Sequence, residues 1–417
     1  MSVYTGIFNA TVNPPQLNMK SLASHILRRQ PNGGAPLYGM TAMTGNTRAK
    51  SATHGYFTKT MEFSRVVSNG ANLAAAGSIN VDSTSGIVVG HVLHNAATGE
   101  NLRVTAVTSG TVLAVTRGFG RVVAADIADN AVLVVIGSAQ EEGSARPTPR
   151  SIASVYAQNF TQIFRNAWAL TDTARASYAE LGYSNIQESQ RDCMTFHSTD
   201  IEATLFFGQA KMDTSGATPL HSTQGIIDAV RQYAPLNVTD FTGVDVTYDD
   251  LVDAVEPAFA YSTDIGDQKT RVAFCDATAM KVLQKIGKEY ADVVTMTQRE
   301  TMFGMVFTEF KFYKGRVMLI EHPLFNGLQA LNGLMVVVDV PAVKLAYMDG
   351  RDAIPENFKV GGTLQTAPTT VAPGVDAQGG SLTSELAVEL INPQGCAVIT
   401  GLTSAGKRIV YTQEVAP

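Results

Sequence analysis

The pattern of apolar and polar residues divides the chain into stretches with different periodicities. Residues 68–139 consist of short runs of β-branched residues separated by turn-forming residues, for example IVVGHVL, NLRVTAV and TVLAVT, with almost no helical periodicity. Strands at such regular spacing are typical of a small all-β barrel or sandwich. Because the strands that flank this stretch have a different pattern, we predict that residues 68–139 are an insertion into another domain.

A long helix is predicted where the chain reads SNIQESQRDCMTFHSTDIEATLFFG. Ser184 and Gln187 form the capping box of a helix start, and Gly208 stands at its end. Between them, residues recur at helical spacing in the apolar repeat: Ile186, Cys193 or Met194, His197, Ile201 and Leu205. At about seven turns this helix is long for a globular domain, so we predict that it crosses a domain as a spine.

The segments before the all-β stretch indicate extended structure. Residues 1–44 are rich in Pro, Gly and Asn, which predicts an extended arm with at most one short helix near Leu22 to Arg29. Thr53 to Val67 partly alternates polar residues with apolar or aromatic ones, as in a strand that buries one face.

Residues 155–174 allow two structures. Tyr156, Phe160, Phe164 and Trp168 recur at a spacing that suits a helix, and an extended conformation also fits part of the stretch. From the residues alone, this choice stays open.

Alternating helix and strand signals fill the stretch from Met212 to Asn332. Helices are predicted at Thr223–Tyr233, Tyr248–Ala260 and Ala277–Ile286, each preceded by a Ser, Thr or Asp cap. TRVAFC is typical of a strand, and VFTEFKFYKGRVMLIE predicts a hairpin that turns at Lys314-Gly315. We therefore predict a compact α+β domain.

The remaining chain favours strands. Gly333 to Asp349 predicts a buried strand pair interrupted by Pro341, and residues 360–381 form a low-complexity Gly/Thr/Pro/Ala stretch that indicates a surface loop. The final stretch, SELAVELINPQGCAVITGLTSAGKRIVYTQ, predicts three short strands. With the preceding segments, these patterns give an α+β fold class.

Composition adds a tendency to associate. Of the 417 residues only 16% are charged, against about 25% in ordinary soluble domains, which suggests a chain that hides surface in an assembly. The net charge of −6 argues against a dedicated nucleic-acid binder. The first 65 residues nevertheless carry +6, and the rest of the chain carries −12. This asymmetry favours an arm with an acidic partner over a solvated tail.

Cysteine usage and the N-terminus predict a reduced, cytoplasmic setting. Cys193, Cys275 and Cys396 lie far apart and include no C-x-x-C pair, so the sequence indicates neither a disulfide framework nor a zinc site. The first residues, MSVYTGIFNATVNPPQ, lack the basic start and apolar core of a signal peptide. No apolar run approaches the ~18 residues of a membrane span.

One stretch near the end, GLTSAGKRIV, imitates a phosphate-binding loop. Gly401, Gly406 and Lys407 have the spacing of G-x-x-x-x-G-K-[ST], but Arg408 replaces the magnesium-binding hydroxyl residue. That loop also needs a helix after the lysine, whereas the residues that follow are β-branched and aromatic. We predict a hairpin turn into a last strand, with no nucleotide bound there.

Other candidate sites have simpler explanations. His91 and His94 lie three residues apart in a predicted strand and would face opposite sides, which disfavours a shared metal. An acidic set on one helix face could bind a cation, but a solvated helix N-terminus explains it as well: Asp249, Asp250, Asp253 and Glu256. Nothing assembles a nucleophile, a base and an oxyanion site, so we predict no enzyme, no cofactor and no metal site.

The order of these parts resembles the major capsid protein fold of tailed bacteriophages, which herpesviruses share. The residues that carry the resemblance are APLYGM and GYFTKTMEFSRV before the all-β stretch, and GENLRVTAVTSGTVLAVTRGFG within it. After it come EEGS, QNFTQIFRNAWALTDTA and DIEATLFFG. More narrowly, the chain is similar to capsid proteins whose long excursion, the E-loop, carries an inserted β-domain.

The resemblance implies a domain organisation and makes Val155 to Ala174 the returning, largely extended limb of the excursion. The implied parts are an N-terminal arm (1–44), E-loop limbs (45–67 and 140–183), an inserted β-domain (68–139), a peripheral domain (184–211 and 333–417) and an axial domain (212–332).

A shell-forming structural protein is the function that the resemblance implies. Copies would associate as hexamers and pentamers around a double-stranded DNA genome bound without sequence specificity, in a virion assembled in the host cytoplasm. Decoration, portal and scaffolding proteins are the further partners expected. The residues we predict for intersubunit or genome-facing contacts are Arg28, Arg29, Arg48, Lys50 and Lys59. The alternatives are a tail-tube or decoration protein, or a carbohydrate-binding protein that uses the β-domain.

Overall fold

The computed structural model describes residues 35–59, 64–171, 173–174, 185–260, 270–289, 297–302, 305–326, 331–359 and 377–406. The chain divides into two compact units. Unit 1 consists of Met1–Tyr56 and Gln158–Pro417, and unit 2 of Phe57–Ala157.

The helices are α1 (Pro36–Thr44), α2 (Asn185–Phe207), α3 (Ile226–Tyr233), α4 (Tyr248–Val255), α5 (Ala277–Glu289) and α6 (Pro323–Asn326). The first twelve strands are β1 (Thr47–Ala49), β2 (Thr53–Thr58), β3 (Arg65–Val67), β4 (Ser78–Asn80), β5 (His91–Asn95), β6 (Asn101–Val107), β7 (Val112–Thr116), β8 (Val132–Ser138), β9 (Val155–Phe160), β10 (Gln162–Thr171), β11 (Lys211–Asp213) and β12 (Leu220–Ser222). The others are β13 (Val238–Asp240), β14 (Asp245–Val246), β15 (Thr270–Cys275), β16 (Thr297–Met302), β17 (Met305–Lys311), β18 (Arg316–Glu321), β19 (Met335–Val338), β20 (Val343–Met348), β21 (Ile354–Lys359), β22 (Ala377–Leu390), β23 (Ala397–Thr400) and β24 (Ser404–Ala405).

Unit 2 contains a six-stranded antiparallel sheet in the order β3-β8-β5-β6-β7-β4. An antiparallel bridge between Ser68 and Val81 joins the two edge strands, so the sheet closes on itself as a small barrel. Alternate side chains point inwards and form one apolar cluster that includes Leu93, Leu102 and Leu133, each fully buried. This closure removes the exposed sheet edges on which other chains could pair.

The chain passes between the two units within β2 and β9, which pair as a two-stranded sheet. Strands β9 and β10 together cover most of Val155 to Ala174, so the extended conformation implied by the resemblance is confirmed. The four-residue spacing of the aromatic residues also suited a helix, because four residues are close to one helical turn and equal two full periods of a strand. Strand β10 pairs along its whole length with β22, from Gln162 opposite Leu386 to Thr171 opposite Ala377.

The first large sheet of unit 1 has the order β1-β20-β22-β10, and β21 also pairs with β22. Helix α2 packs against β10 and β22, and it also contacts helices α1 and α3. The predicted spine helix is confirmed over Asn185–Phe207, whereas its predicted cap, Ser184, lies outside the described residues. The apolar cluster beneath it includes Ile201, Leu205 and Phe206.

The second large sheet has seven strands in the order β13-β23-β19-β15-β18-β17-β16. Its two faces belong to two different apolar clusters. Phe274 and Val336 point into the cluster beneath α2, while Ala273 and Met335, their neighbours in the chain, point into a cluster under α4 and α5. Strands on both sides of the predicted boundary at residues 332 and 333 share this sheet.

Helix α1 corrects the prediction that residues 1–44 form an extended arm with at most one helix near Leu22 to Arg29; that predicted helix lies outside the described residues. Pro36 occupies the first helical position, where its missing N–H costs nothing. Ala35 supplies no cap, but Glu202 of α2 accepts the N–H groups of Leu37 at 2.9 Å and Tyr38 at 2.7 Å. The helix therefore depends on a residue far away in the chain.

All three helices predicted in the α+β domain need changes in their bounds, and α5 extends to Glu289 rather than ending at Ile286. Helix α3 begins at Ile226 after Gly225, which has no capping side chain, so the predicted hydroxyl cap is wrong. Thr223 is instead buried, and its Oγ1 accepts the N–H of Val388 at 3.1 Å. Helix α4 ends at Val255 and continues as a 3₁₀ turn through Pro257, because proline cannot donate the helical hydrogen bond.

The predictions for the C-terminal strands also need correction. The predicted pair within Gly333 to Asp349 does not form, because a 3₁₀ turn through Pro341 sends β19 and β20 into different sheets. Strand β22 is long rather than short, with 14 residues, and it begins inside the stretch predicted as a surface loop. Ser404–Ala405, within the stretch predicted as a turn, are extended as β24 and pair in parallel with β14, and the predicted last strand lies outside the described residues. Lys407 and Arg408 lie outside the described residues.

Candidate assembly surface

The residues predicted for intersubunit contacts lie at exposed positions wherever the structure describes them. Arg48 is the middle residue of β1, which pairs in parallel with β20 and so stands beside Asp349. Arg48 Nη1 lies 3.4 Å from Asp349 Oδ1, but the two side chains are 81% and 74% exposed. Such an exposed pair contributes little to stability. Arg28 and Arg29 lie outside the described residues.

Lys50 and Lys59 are exposed and form no ion pair with another described residue. Lys50 follows β1 in unit 1, and Lys59 follows β2 in unit 2. Each therefore offers a positive charge that no described residue neutralises. The predicted basic residues that the structure describes do not form one cluster within either unit.

Unit 2 exposes apolar and aromatic side chains where the prediction named only charges. Phe57 is 72% exposed, Val155 63% and Tyr156 48%. The Phe57 and Tyr156 rings contact each other, with centroids 5.1 Å apart. Large exposed side chains in contact are unusual on a protein that stays alone in water. The alternation in THGYFTKT was the available sequence signal, but it does not say which face is covered.

In unit 1, the neighbouring ends of β2 and β9 are fixed to β22. His54 Nε2 lies 3.0 Å from Glu389 Oε2, and the Tyr56 hydroxyl donates to the Leu390 carbonyl. The His54 contact is the main reason that the pKa of Glu389 is lowered, and burial raises the pKa of Tyr56. Asn159 Nδ2 donates to the Val388 carbonyl at 2.7 Å. These strand ends are held by side-chain contacts as well as by their own pairing.

Buried charges organise the interior of each unit. In unit 1, Glu202 also accepts a hydrogen bond from His322 Nε2 at 2.8 Å, and both side chains are fully buried. In unit 2, Arg117 and Glu100 form a bidentate salt bridge, in which Arg117 Nε and Nη2 each donate to one Glu100 carboxylate oxygen at 2.8 Å. Burial alone would raise the pKa of Glu100, but Arg117 and two backbone N–H groups hold that pKa below its ordinary value. The buried Glu202 and Glu100 carboxylates are therefore hydrogen-bonded within their own units and stabilise the fold.

The acidic set on α4 is divided among different contacts. Asp250 forms a capping box with Thr247, whose Oγ1 accepts the Asp250 N–H, and Glu256 pairs with Lys314. Asp249 and Asp253 remain exposed. Within the part of the chain that the structure describes, no group of three His, Cys, Asp or Glu residues could hold a metal ion.

The histidines of β5 have partners of their own. His91 is buried and its Nδ1 accepts the Val88 N–H at 3.3 Å, while His94 Nδ1 lies 2.8 Å from Asn101 Oδ1. Burial lowers the pKa of His91. The three cysteines are buried as free thiols. Among the described helices, none is long and apolar enough to cross a membrane.

Exposed apolar rings and unpaired surface cations on a well-packed α+β scaffold fit a structural protein that associates with other chains. The model of the SU10 major capsid protein family matches residues 3–403, and the chain therefore belongs to this family. It is a structural component of the virion and forms a capsid shell from many copies of itself. The resemblance to phage major capsid proteins is thereby confirmed.

The chain is also similar to individual proteins. It is 58% identical over 416 residues to the major capsid protein of Pseudomonas phage PaMx41, covering 99% of both chains. Two solved structures are distant likenesses. The capsid of Myoviridae phage XM1 has a TM-score of 0.43 and 8% identity, covering 95% of this chain and 99% of that one. The structure from Mycobacterium phage Cain has a TM-score of 0.45 and 10% identity, covering 93% and 96%.

Proposed function

We propose that the chain associates as hexamers and pentamers into an icosahedral shell that encloses the double-stranded DNA of a tailed phage. The family supports a shell, and the low charge content supports extensive contact between copies. Rings of five and six copies are the ordinary way in which one chain closes a curved surface with point-group symmetry. The negative net charge supports enclosure of DNA without sequence-specific binding.

In the shell, the excursion that reaches a neighbouring copy comprises unit 2 and the adjoining segments of unit 1. Its limbs are residues 45–67 and 140–183, and residues 68–139 are the inserted β-domain. The observation that carries this proposal is the exposed contact between Phe57 and Tyr156, beside the equally exposed Val155. Burying each of these side chains against another copy would contribute about 1.5–3 kcal/mol.

The basic residues near the start of the chain direct this association. Lys50 and Lys59 are exposed with no ion-pair partner among the described residues, and the described contact of Arg48 is an exposed one with Asp349. With Arg28 and Arg29, they meet acidic surface on adjacent copies or the inner layer of the genome. Decoration, portal and scaffolding proteins complete the set of partners, and the chain has no catalytic role.

The experiment compares the wild-type chain with Arg28→Glu/Arg29→Glu and Lys50→Glu/Lys59→Glu variants by sedimentation velocity and negative-stain electron microscopy. We expect rings and closed shells from the wild-type chain and at least about a tenfold loss of assembled material from each variant, since like charges across an interface repel. Lys50→Arg/Lys59→Arg keeps the charge and should assemble normally. Normal shells from both charge-reversed variants would remove the role of the basic residues.

A further inference from the structure

Two charged helices lie side by side on one face of the seven-stranded sheet of unit 1. Leu251 and Val255 of α4 share an apolar cluster with Val282 and Ile286 of α5. Helix α4 packs over β23, and α5 packs over β15 and β18. Since β23 and β15 are separated by β19, the helices stand about two or three strand spacings apart, roughly 10–14 Å. Their outer sides face away from the sheet.

The outer side of α5 carries a stripe of positive charge. Lys281, Lys285 and Lys288 are exposed, and none of them forms an ion pair with another described residue. Successive spacings of four and three residues place the three lysines on one side of the helix, in a stripe that extends about 10 Å along the helix axis. Favourable interaction with the helix dipole accounts for Lys288 in the last turn but not for Lys281 in the first half. Among the described residues of unit 1, the stripe has no acidic partner.

The outer side of α4 carries the opposite charge. Asp249 and Asp253 are exposed four residues apart, and neither forms an ion pair with another described residue. Their acidic neighbours Asp250 and Glu256 are occupied by Thr247 and Lys314. One copy therefore presents two carboxylates and three lysine ammonium groups, none paired with another described residue, at separate places on the same face.

We propose that the basic stripe of α5 docks on the acidic side of α4 in a second copy of this chain. This inference rests on the proposed assembly into rings. The second copy is the partner that charge complementarity selects, because each copy carries both halves of the contact. A two-fold contact of α5 against α5 would place lysine against lysine. Because the proposed assembly consists of rings, the contact is head to tail, with α5 of one copy on α4 of the next, and repetition by rotation closes the ring.

A charge-swap experiment in the full-length chain tests this pairing. One variant, Lys281→Glu/Lys285→Glu, reverses the charge of the basic stripe, and the other, Asp249→Lys/Asp253→Lys, reverses the acidic side. Both pairs have the same four-residue spacing. We expect each reversal alone to lower the assembled fraction at least about tenfold, because it places like charges across the contact. The combined variant restores opposite charges and should assemble to within about twofold of wild type.

Controls separate folding from assembly. Circular dichroism and the fluorescence of Trp168 report whether each variant is folded, and Asp249→Asn/Asp253→Asn removes attraction without adding repulsion. If a reversed variant does not fold, this neutral pair and the matching Lys281→Gln/Lys285→Gln pair carry the test. We expect these neutral variants to assemble less than wild type and to depend less on salt concentration, since fewer opposite charges across the contact are left to be screened.

Several outcomes would overturn the proposal. Normal assembly of either reversed variant shows that the stripes do not meet, and so does a combined variant that assembles no better than the single reversals. Shells that form normally from Lys281→Glu/Lys285→Glu but hold less DNA would assign the stripe to nucleic acid instead. A wild-type chain that forms no rings or shells contradicts the proposed function itself, so the two failures are distinguishable.

Discussion

Unit 2 and unit 1 are built in opposite ways. Unit 2 is a continuous segment, Phe57–Ala157, and its barrel joins strands that are close in sequence. Unit 1 is woven from distant segments: β10 pairs with β22 more than 200 residues later, and β1 pairs with β20. The comparison teaches that local sequence is sufficient to specify one unit, whereas the other depends on contacts that form only when distant parts of the chain meet.

Buried carboxylates follow the same division. Glu100 and its partner Arg117 are 17 residues apart in unit 2, and together they fix the loop that follows β7. Glu202 in unit 1 joins α2 to the start of α1, 165 residues away, and to His322, 120 residues away. Loss of Glu202 should therefore loosen a whole unit, and weakening of the Glu100 contact should loosen one loop and its barrel.

The largest expected effect comes from Glu202→Ala. It leaves the His322 Nε2 proton and the N–H groups of Leu37 and Tyr38 without their acceptor in a buried site. We expect the free energy of unfolding of unit 1 to fall by about 3–5 kcal/mol. The measurement is chemical denaturation followed by Trp168, the single tryptophan, which lies on β10 and so reports on unit 1.

Two controls make that result specific. Arg191→Ala changes an exposed position of the same helix and should have little effect. Hydrogen exchange of peptides from the barrel should be unchanged by Glu202→Ala, since unit 2 has its own core. Equal loss of protection in both units would show that they unfold as one and would break the comparison.

A smaller effect is expected from Arg117→Lys. Lysine keeps the positive charge but cannot form the bidentate salt bridge with Glu100 or the hydrogen bonds to the Leu73 and Ala125 carbonyls. We expect unit 2 to lose about 1.5–3 kcal/mol of stability, with no change in the Trp168 transition. Circular dichroism and exchange of barrel peptides measure this loss. A shift of the Trp168 transition by the same amount would contradict the independence of the units.

The same contact predicts a pH dependence. Because the pKa of Glu100 is lower in the folded unit than its ordinary 4.5, its stabilisation is complete above pH 4.5. That stabilisation is lost as the pH falls through the folded-state pKa. Arg117→Lys weakens the donor that lowers this pKa, so the acid sensitivity of the barrel should decrease. An unchanged pH profile would show that Arg117 does not control the Glu100 carboxyl.

How much of the fold follows from sequence also differs between the units. The strands at residues 68–139 are signalled by β-branched runs and turn residues, and α2 by its periodicity, because both depend on neighbours in sequence. Helix α1 is not signalled in this way, since its acceptor is Glu202. The separate destinations of β19 and β20 depend on which sheet each strand finds after Pro341, and periodicity carries no information on that.

The candidate assembly surface is predictable only in part. Charge asymmetry pointed to Lys50 and Lys59, and the structure shows both to be exposed. It could not point to Phe57 and Tyr156, because an apolar residue in an alternating strand is expected to face a core. The free lysines of α5 were also missed, since basic residues on a helix are ordinarily solvated. Their significance depends on the absence of any described partner and on the acidic helix beside them.

The most direct test of the central claim is electron microscopy of the purified, concentrated wild-type chain. If copies of this chain close a capsid shell through their exposed surfaces, we expect rings of five or six copies, or closed shells, whose abundance rises with protein concentration. A folded chain that remains a monomer at every concentration would contradict it.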